Sequence, residues 1–404
     1  MTGLGAITPI GLTAAELWQN LNAGVSGVGP ITLFDPDPLP VKIAAEVKGF
    51  DPTKYLDAKT ARRLERFAQF AVAAATQAIA DAGLTIDESN AERIGVVFNT
   101  GGGGVVRVVN EALVYEHKGA DRVSPLFVPM MMPNIGACQI SILTGVRGPV
   151  ITATAACAAG VQAVVDAWRL IRSGEADVVI TGASESALTP TAFAGLANMH
   201  ALSQNNDDPA GASRPFDANR DGFVFGEGAG ALILEREDHA RARGATIIAE
   251  VRGGALTADA HHITAPSPEG DGASRAMSRA LKLGDLSPND VDYVCAHATA
   301  TSVGDAAEVT AIKRALGANT TVAVSSPKSM IGHLLGGAGA VTAIAAALAV
   351  RDDRVPPTIN YCTPDPACDV DVVPNESRQT RVRAALANGF GFGGQNAVAL
   401  FAKP

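Results

Sequence analysis

Residues 150–168 read VITATAACAAGVQAVVDAW, and this stretch decides how the rest of the chain is interpreted. A β-branched segment leads into Cys157, and small residues with a helical spacing of valines follow it. We therefore predict that Cys157 lies at or just before a helix N-terminus. The free N–H groups and the positive dipole end of a helix stabilise a thiolate and lower the pKa of such a cysteine. A lone cysteine is more often a buried structural residue, so a reactive role for Cys157 needs support from other parts of the sequence.

The composition is that of a large, well-packed globular chain. Of its 404 residues, 47% are hydrophobic and 18% are charged, which indicates an α/β protein and excludes a disordered one. The net charge of −9 argues against nucleic-acid binding. Five cysteines without a CxxC pair fit a reducing, cytoplasmic setting better than a disulfide framework. No uninterrupted apolar run approaches the roughly 18 residues of a membrane span, so we expect no membrane contact.

Two parts of the chain repeat one pattern. Residues 77–101 and 278–301 share a helix end, a spacer, a strand and a polar loop. Cys157 with the small residues after it matches His333 with the small residues after it. We interpret this as a duplicated α/β unit with halves at 1–240 and 241–404, whose stacked sheets have helices between and outside them.

The glycine-rich segments do not predict a nucleotide site. None of the segments 3–11, 101–104 and 226–230 combines GxGxxG with a preceding strand, a following helix and a later acidic residue, and no Walker motif occurs. Such runs are more often tight turns or close backbone contacts.

Two histidines lie in loops where α/β proteins place catalytic side chains. His297 follows the predicted strand 291–296, and His333 lies five residues after Lys328. A lone histidine is usually structural, but two in matching loops, together with Cys157, favour a catalytic group. Neither HxxxH nor HExxH includes them, so we expect no metal site.

These segments together resemble the elongating 3-oxoacyl-acyl-carrier-protein synthases, the condensing enzymes of dissociated type II fatty-acid synthesis. The likeness rests on Cys157, on segments 297–301, 328–333 and 389–394, and on SRPFDANRDGFVFGEGAG at 213–230. It covers nearly the whole chain. It implies a thiolase fold with five layers in the order α-β-α-β-α, and a homodimer.

The resemblance implies the roles of the reacting groups. Cys157 would take the acyl chain from a carrier-protein thioester. His297 and His333 would hold the malonyl thioester and promote its decarboxylation. Lys328 would support that site electrostatically, with Glu308 as its partner.

The resemblance further implies how the substrates are held. The backbone N–H groups of Cys157 and Phe392 would form an oxyanion hole, and Phe392 would gate the second substrate beside Phe390. The hydroxyls expected to bind the phosphopantetheine arm belong to Thr264, Thr299 and Thr301. Because that arm arrives on the acyl carrier protein, no dissociable cofactor is expected.

Four residues depart from the family pattern. Ala298 replaces a usual glycine, Ala300 a common hydroxyl residue, Gly389 a serine and Gln395 a threonine. None is a reacting group, so the departures bear on substrate preference.

Basic residues recur at helical spacing near the start of a helix predicted at 61–82. Lys59, Arg62, Arg63 and Arg66 fall at i, i+3, i+4 and i+7 and would share one face, most often a merely solvated one. The resembled family docks its acidic carrier protein at the positions of Lys59, Arg62 and Arg63.

Three alternatives stay open. A CoA-dependent thiolase would share the fold, but it uses a second cysteine where none occurs in the 389–394 loop. A polyketide ketosynthase fits the motifs nearly as well. A catalytically silent partner subunit that sets chain length would lack the nucleophile, and Cys157 is present.

Overall fold

The computed structural model describes residues 1–404, and strands and helices alternate along the chain. The strands are β1 Gly3–Ile7, β2 Gly29–Pro30, β3 Ile43–Ala44, β4 Ile94–Asn99, β5 Val150–Ile151, β6 Val178–Glu185, β7 Gly228–Glu235, β8 Glu250–Ala258, β9 Tyr293–Cys295, β10 Ala323–Ser325, β11 Arg354–Val355, β12 Arg378–Gln379, β13 Ala384–Gly391 and β14 Gln395–Ala402. The helices are α1 Ala14–Asn22, α2 Ala58–Arg63, α3 Arg66–Asp81, α4 Val105–Lys118, α5 Phe127–Met131, α6 Ile135–Thr144, α7 Ala159–Arg172, α8 Pro190–Asn198, α9 Pro209–Ala212, α10 Glu237–Ala242, α11 Asp271–Leu283, α12 Ser302–Leu316, α13 Lys328–Ile331 and α14 Ala338–Asp352.

Two five-stranded sheets have the same topology. The first has the order β1-β7-β6-β4-β5, and the second has the order β8-β14-β13-β9-β10. In each sheet the first two pairs are antiparallel and the last two are parallel. The predicted duplicated α/β fold is confirmed. The boundary predicted at residues 240 and 241 lies between β7 and β8 and stays a prediction.

Helices fill three layers around the two sheets. α3 and α6 cover the outer face of the first sheet, α7 and α14 lie between the sheets, and α11 with α12 covers the second sheet. The largest apolar cluster, of 45 buried residues, lies in the central layer. This is the predicted α-β-α-β-α order.

The central helices α7 and α14 touch at two glycines. A Cβ added at Gly160 would lie 2.2 Å from the Ala340 nitrogen, and one added at Gly339 would lie 2.6 Å from the Val161 nitrogen. The segment Leu335–Asp352 is long and apolar enough to cross a membrane, but 83% of it is buried in this layer. The run is interrupted by Thr342 and ends in Arg351 and Asp352, so the prediction of no uninterrupted apolar run of this length is not contradicted, and the apolar composition of α14 reflects burial on all sides.

The structure changes the register of the repeat. α7 and α14 each follow a 3-10 turn, and the first residues of these turns, Ala156 and Leu335, have φ values of +45° and +44°. The position equivalent to Cys157 is therefore Gly336, and the predicted match of Cys157 with His333 is wrong by three residues. The small residues common to both loops do not fix the register by themselves.

The helix predicted at 61–82 is two helices. The chain is extended at Leu64, between α2 and α3, where ψ is 142°. Arg66 opens α3 and pairs with the buried carboxylate of Glu227 at 2.7 Å. The prediction that Arg66 shares an exposed face with the three basic residues before it is therefore wrong.

Candidate active site

A cavity of about 460 Å³ lies between the two halves, at the ends of the central helices. Nine of the residues predicted for the site line it: Cys157, Thr264, His297, Thr299, Thr301, Glu308, His333, Phe390 and Phe392. Lys328 is buried behind the lining residues, with 2% of its surface exposed. The tertiary structure therefore brings together side chains from segments up to 235 residues apart, from Cys157 to Phe392.

Cys157 lies in the 3-10 turn that opens into α7, as predicted. Hydrogen bonding by the backbone N–H groups of Phe392 and Cys157 acts to lower the pKa of this thiol, and these are the two groups predicted to form an oxyanion hole. Burial raises the pKa of the Cys157 thiol to about 12, while Lys328 and these two N–H groups act in the opposite direction. The predicted lowering of the pKa is therefore wrong for the resting enzyme, because desolvation of the thiolate outweighs the helix terminus.

His297 and His333 face each other across the cavity. Their ring centroids are 5.5 Å apart and their planes are nearly perpendicular, at 82°. The Nδ1 atom of each ring is buried and has no hydrogen-bond partner. Burial, followed by the charge of Lys328, lowers the pKa of both histidines well below the usual range. Both imidazoles are therefore neutral at physiological pH.

Lys328 and Glu308 hold the His297 loop rather than each other. The Lys328 ammonium donates to the His297 carbonyl oxygen at 2.5 Å. The Glu308 carboxylate accepts the N–H groups of His297 and Ala298, at 2.9 and 2.6 Å, and the side-chain amide of Asn388 at 2.9 Å. Lys328 and Glu308 form no ion pair within 4 Å, and the carboxylate of Glu308 acts on Lys328 at longer range, raising the pKa of Lys328 against the larger effect of burial.

The loop at Phe392 joins β13 and β14. Phe392 is 39% exposed at the cavity, and the ring of Phe390 lies 5.7 Å from that of His297. A Cβ at Gly389 would lie 2.9 Å from a methyl group of Val161 on α7. The glycine that departs from the family pattern thus lets β13 pack closely against α7, the helix that follows Cys157.

The three threonine hydroxyls predicted to bind the phosphopantetheine arm lie on two different loops. The hydroxyls of Thr299 and Thr301 lie 3.1 Å apart in the turn before α12. Thr264 lies on the opposite loop, where its backbone N–H donates to Nδ1 of His262 at 3.2 Å. All three line the same cavity.

Sequence reasoning missed two buried charged residues beside the site. Glu185 ends β6 and accepts N–H groups from Gly101 at 2.8 Å and from Gly336 at 3.2 Å. Arg220 donates to the backbone of the turn that holds Thr301. The signal for Glu185 was a carboxylate at the end of an apolar strand, and the signal for Arg220 was its place inside the 213–230 motif.

The three basic residues that precede Arg66 in the predicted helix face lie on the surface. Lys59, Arg62 and Arg63 are exposed on α2 and make no ion pair within 4 Å. No group of three or more His, Cys, Asp and Glu side chains has the arrangement of a metal site.

Comparison with known proteins identifies the family. The N-terminal domain of beta-ketoacyl synthases matches residues 1–240, and their C-terminal domain matches residues 248–362. A 3-oxoacyl-[acyl-carrier-protein] synthase 2 of Synechocystis sp. is 50% identical over 404 residues, which cover 100% of this chain and 97% of the relative.

Solved structures agree on the fold. The ishigamide ketosynthase/chain length factor superposes with a TM-score of 0.94 at 35% identity, over 100% of this chain and 98% of the other. A type II PKS ketosynthase in complex with its acyl-carrier protein superposes with a TM-score of 0.91 at 32% identity, with the same coverage. The family resemblance and the thiolase-type fold predicted from the sequence are confirmed, and the chain is a member of the beta-ketoacyl synthase family, a condensing acyltransferase.

Proposed function

We propose that this protein condenses a Cys157-bound acyl group with malonyl-acyl-carrier protein to give 3-oxoacyl-acyl-carrier protein in fatty-acid elongation. One observation supports it most: a thiol under two backbone N–H donors shares a cavity with two neutral imidazoles. The relative at 50% identity favours fatty-acid elongation over a polyketide pathway, because the type II PKS ketosynthase on which this chain superposes is only 32% identical to it.

In the first half-reaction Cys157 becomes acylated. Its thiol gives up a proton to a neutral imidazole, and the thiolate attacks the thioester carbonyl carbon. In this proposal the oxygen of the tetrahedral intermediate accepts the N–H groups of Cys157 and Phe392, a role supported by their effect on the pKa of the neighbouring thiol. The carrier-protein thiolate leaves and takes up the proton, so the step is balanced and the acyl-enzyme remains.

In the second half-reaction the malonyl group supplies the carbon nucleophile. Its C–C bond breaks to release CO2, and the electron pair forms an enolate of the thioester. His297 and His333, being neutral, can each donate an N–H to the enolate oxygen. The enolate carbon attacks the acyl-enzyme carbonyl, the bond to sulfur breaks, and Cys157 leaves as a thiolate that takes up a proton from solvent. No step requires a bound cofactor or metal.

The carrier protein is proposed to dock at α2. A structural relative is a ketosynthase bound to its acyl-carrier protein, and this acidic chain offers the unpaired cations Lys59, Arg62 and Arg63. Because the net charge of −9 repels an acidic partner, a local basic patch must supply the attraction.

The docking proposal is tested by charge reversal. We expect Arg62→Glu with Arg63→Glu to raise KM for carrier-protein substrates about tenfold, as two lost charge contacts would. The control is Arg241→Glu with Arg279→Glu, two exposed arginines on other helices. An unchanged KM in the α2 variant would count against docking there.

A homodimer is proposed from the edge of the first sheet. β5 is an edge strand whose Val150 and Ile151 are 40% and 39% exposed, and Ile142 and Leu143 on the neighbouring α6 are 69% and 46% exposed. An uncovered apolar edge strand is a site for pairing with a second copy. Sedimentation should give a dimer mass for the wild type and a monomer mass for Ile142→Asp with Val150→Asp; a wild-type monomer would contradict the proposal.

The cellular setting is proposed to be the cytoplasm. All five cysteines are free in the structure, which suits a reducing compartment.

The decisive experiment is direct. The protein is incubated with acyl- and malonyl-acyl-carrier protein, and the products and the intact protein are analysed by mass spectrometry. We expect an acyl adduct on Cys157 and a 3-oxoacyl product. An absence of the adduct would overturn the proposed function and would favour a silent partner subunit.

A further inference from the structure

The turn that holds Thr299 and Thr301 is fixed from outside the cavity by one buried arginine. We propose that Arg220 is a positioning residue, which sets the two threonine hydroxyls to bind the pantetheine arm of the substrate. This inference rests on the proposed function. Arg220 does not line the cavity, so it acts through the turn.

All three nitrogens of the Arg220 guanidinium group donate hydrogen bonds to backbone or carboxylate oxygens. Nε donates to the Thr301 carbonyl at 3.1 Å, and Nη2 donates to the Ser302 carbonyl at 2.9 Å. Nη1 donates to the Asp217 carbonyl at 2.8 Å and to the Asp365 carboxylate at 2.6 Å. Only 3% of the side chain is exposed. The planar fork therefore ties two successive carbonyls of the turn to the 213–230 loop.

Asp305 holds the same turn at its other end, Thr299, and lies beside Arg220. Its carboxylate lies 3.6 Å from Nε of Arg220 and accepts the Thr299 N–H at 2.9 Å and the Phe216 N–H at 2.9 Å. Both charges are buried, and a buried ion pair is retained only when its hydrogen bonds are satisfied. The pair thus fixes both ends of the turn, Thr299 and Thr301.

The turn between these ends is strained. Ala300 has a φ of +68°, in the left-handed region that residues with a Cβ avoid, and its carbonyl accepts the Gly222 N–H at 3.1 Å. Such a conformation persists only where its surroundings over-determine it. It places the hydroxyls of Thr299 and Thr301 3.1 Å apart at the cavity wall. Two hydroxyls at this spacing can donate to an amide carbonyl and accept from an amide N–H, and a pantetheine arm supplies both groups.

The test is Arg220→Lys, which keeps the charge and loses the fork. We expect KM for malonyl-acyl-carrier protein to rise about tenfold with kcat changed by less than about threefold, as the loss of one or two hydrogen bonds would produce. Alkylation of Cys157 by iodoacetamide, which needs no arm, should keep its wild-type rate. The matched control is Arg243→Lys, because Arg243 also joins a buried carboxylate, Glu235, to a backbone carbonyl, and none of these groups lines the cavity.

A double-mutant cycle shows whether Arg220 acts through the hydroxyls. We expect Arg220→Lys with Thr301→Val to raise KM no more than the larger single effect, because both changes remove the same contact. An unchanged KM, additive effects, or an equal loss of alkylation would overturn the inference. If Arg220→Lys does not fold, Asp365→Asn weakens the hydrogen bonding of Arg220 and should raise KM by a smaller factor. An unchanged KM in that variant would also overturn the inference. Failure of the wild type to make a 3-oxoacyl product would instead refute the proposed function.

Discussion

The two helix N-termini at the centre of the molecule have the same backbone conformation, but different side chains face them. Cys157 and Gly336 occupy equivalent positions in the 3-10 turns before α7 and α14. The N–H of Cys157 points at its own thiol in the cavity, whereas the N–H of Gly336 donates to the buried carboxylate of Glu185. The repeated fold therefore contains two equivalent helix N-termini, and the second of them is occupied by a side chain of the protein itself.

The difference shows how equivalent backbones acquire different chemistry. At the first terminus the anion is transient, an oxyanion or a thiolate, and Lys328 supports it. At the second terminus Glu185 supplies a fixed carboxylate, and burial raises the pKa of Glu185 to about 7. The two termini therefore differ in the side chains of Cys157 and Glu185 rather than in the fold.

The largest effect is expected from removing the thiol. Cys157→Ala should lower condensation by at least about 1,000-fold, because the residual site has no nucleophile. Mass spectrometry should find no acyl adduct. Cys362→Ala, at an exposed cysteine, serves as the control and should keep both the adduct and the rate. Retained acylation in Cys157→Ala would place the nucleophile elsewhere.

The next effect concerns the donors that face this terminus. His333→Ala should lower CO2 release from malonyl-acyl-carrier protein by about 100- to 1,000-fold, the usual cost of one removed donor. Because the pKa of His333 lies well below 6.5, the wild-type rate should not fall through imidazole protonation between pH 8 and 6.5. The exposed His117→Ala is the control. A decarboxylation rate like that of the wild type would remove His333 from the mechanism.

A larger side chain at Gly160 tests the close contact between α7 and α14. Gly160→Ala places a Cβ 2.2 Å from the Ala340 nitrogen and should lower the free energy of unfolding in urea by about 3 kcal/mol. Gly195→Ala is the matched control, because its Cβ meets nothing within 4 Å in helix α8. Equal stabilities of the two variants would show that the helices separate at little cost.

The smallest effect comes from the carboxylate at the second terminus. The folded protein holds the Glu185 proton up to a pKa of about 7, above the usual 4.5, so this contribution to stability is present at low pH and is lost as pH rises through 7. Between pH 5 and 8 the wild type should therefore lose about 2.5 kcal/mol relative to Glu185→Gln. Urea unfolding at both pH values measures this, with the exposed Glu88→Gln as control. A difference that is independent of pH would refute the raised pKa.

Much of the fold and site followed from local patterns. The helix after Cys157 and the duplication followed from apolar periodicity, which is a local property, whereas the five-layer order and most of the nine cavity residues were implied by the family motifs. Arg66 shows where this fails: its spacing fits the face of Lys59, but the extended Leu64 and the distant Glu227 turn it inward. An ion pair across 161 residues leaves no trace in helical spacing.

The sequence by itself determined the family and its layered fold, since the family motifs depend on residue types and their spacing. The tertiary structure alone decided that Cys157 corresponds to Gly336, that Glu308 binds the His297 loop instead of Lys328, and that the resting thiol is protonated. It also decided which of two equal helix termini is free. These outcomes depend on burial and on contacts between distant segments, and both arise only when the halves pack together.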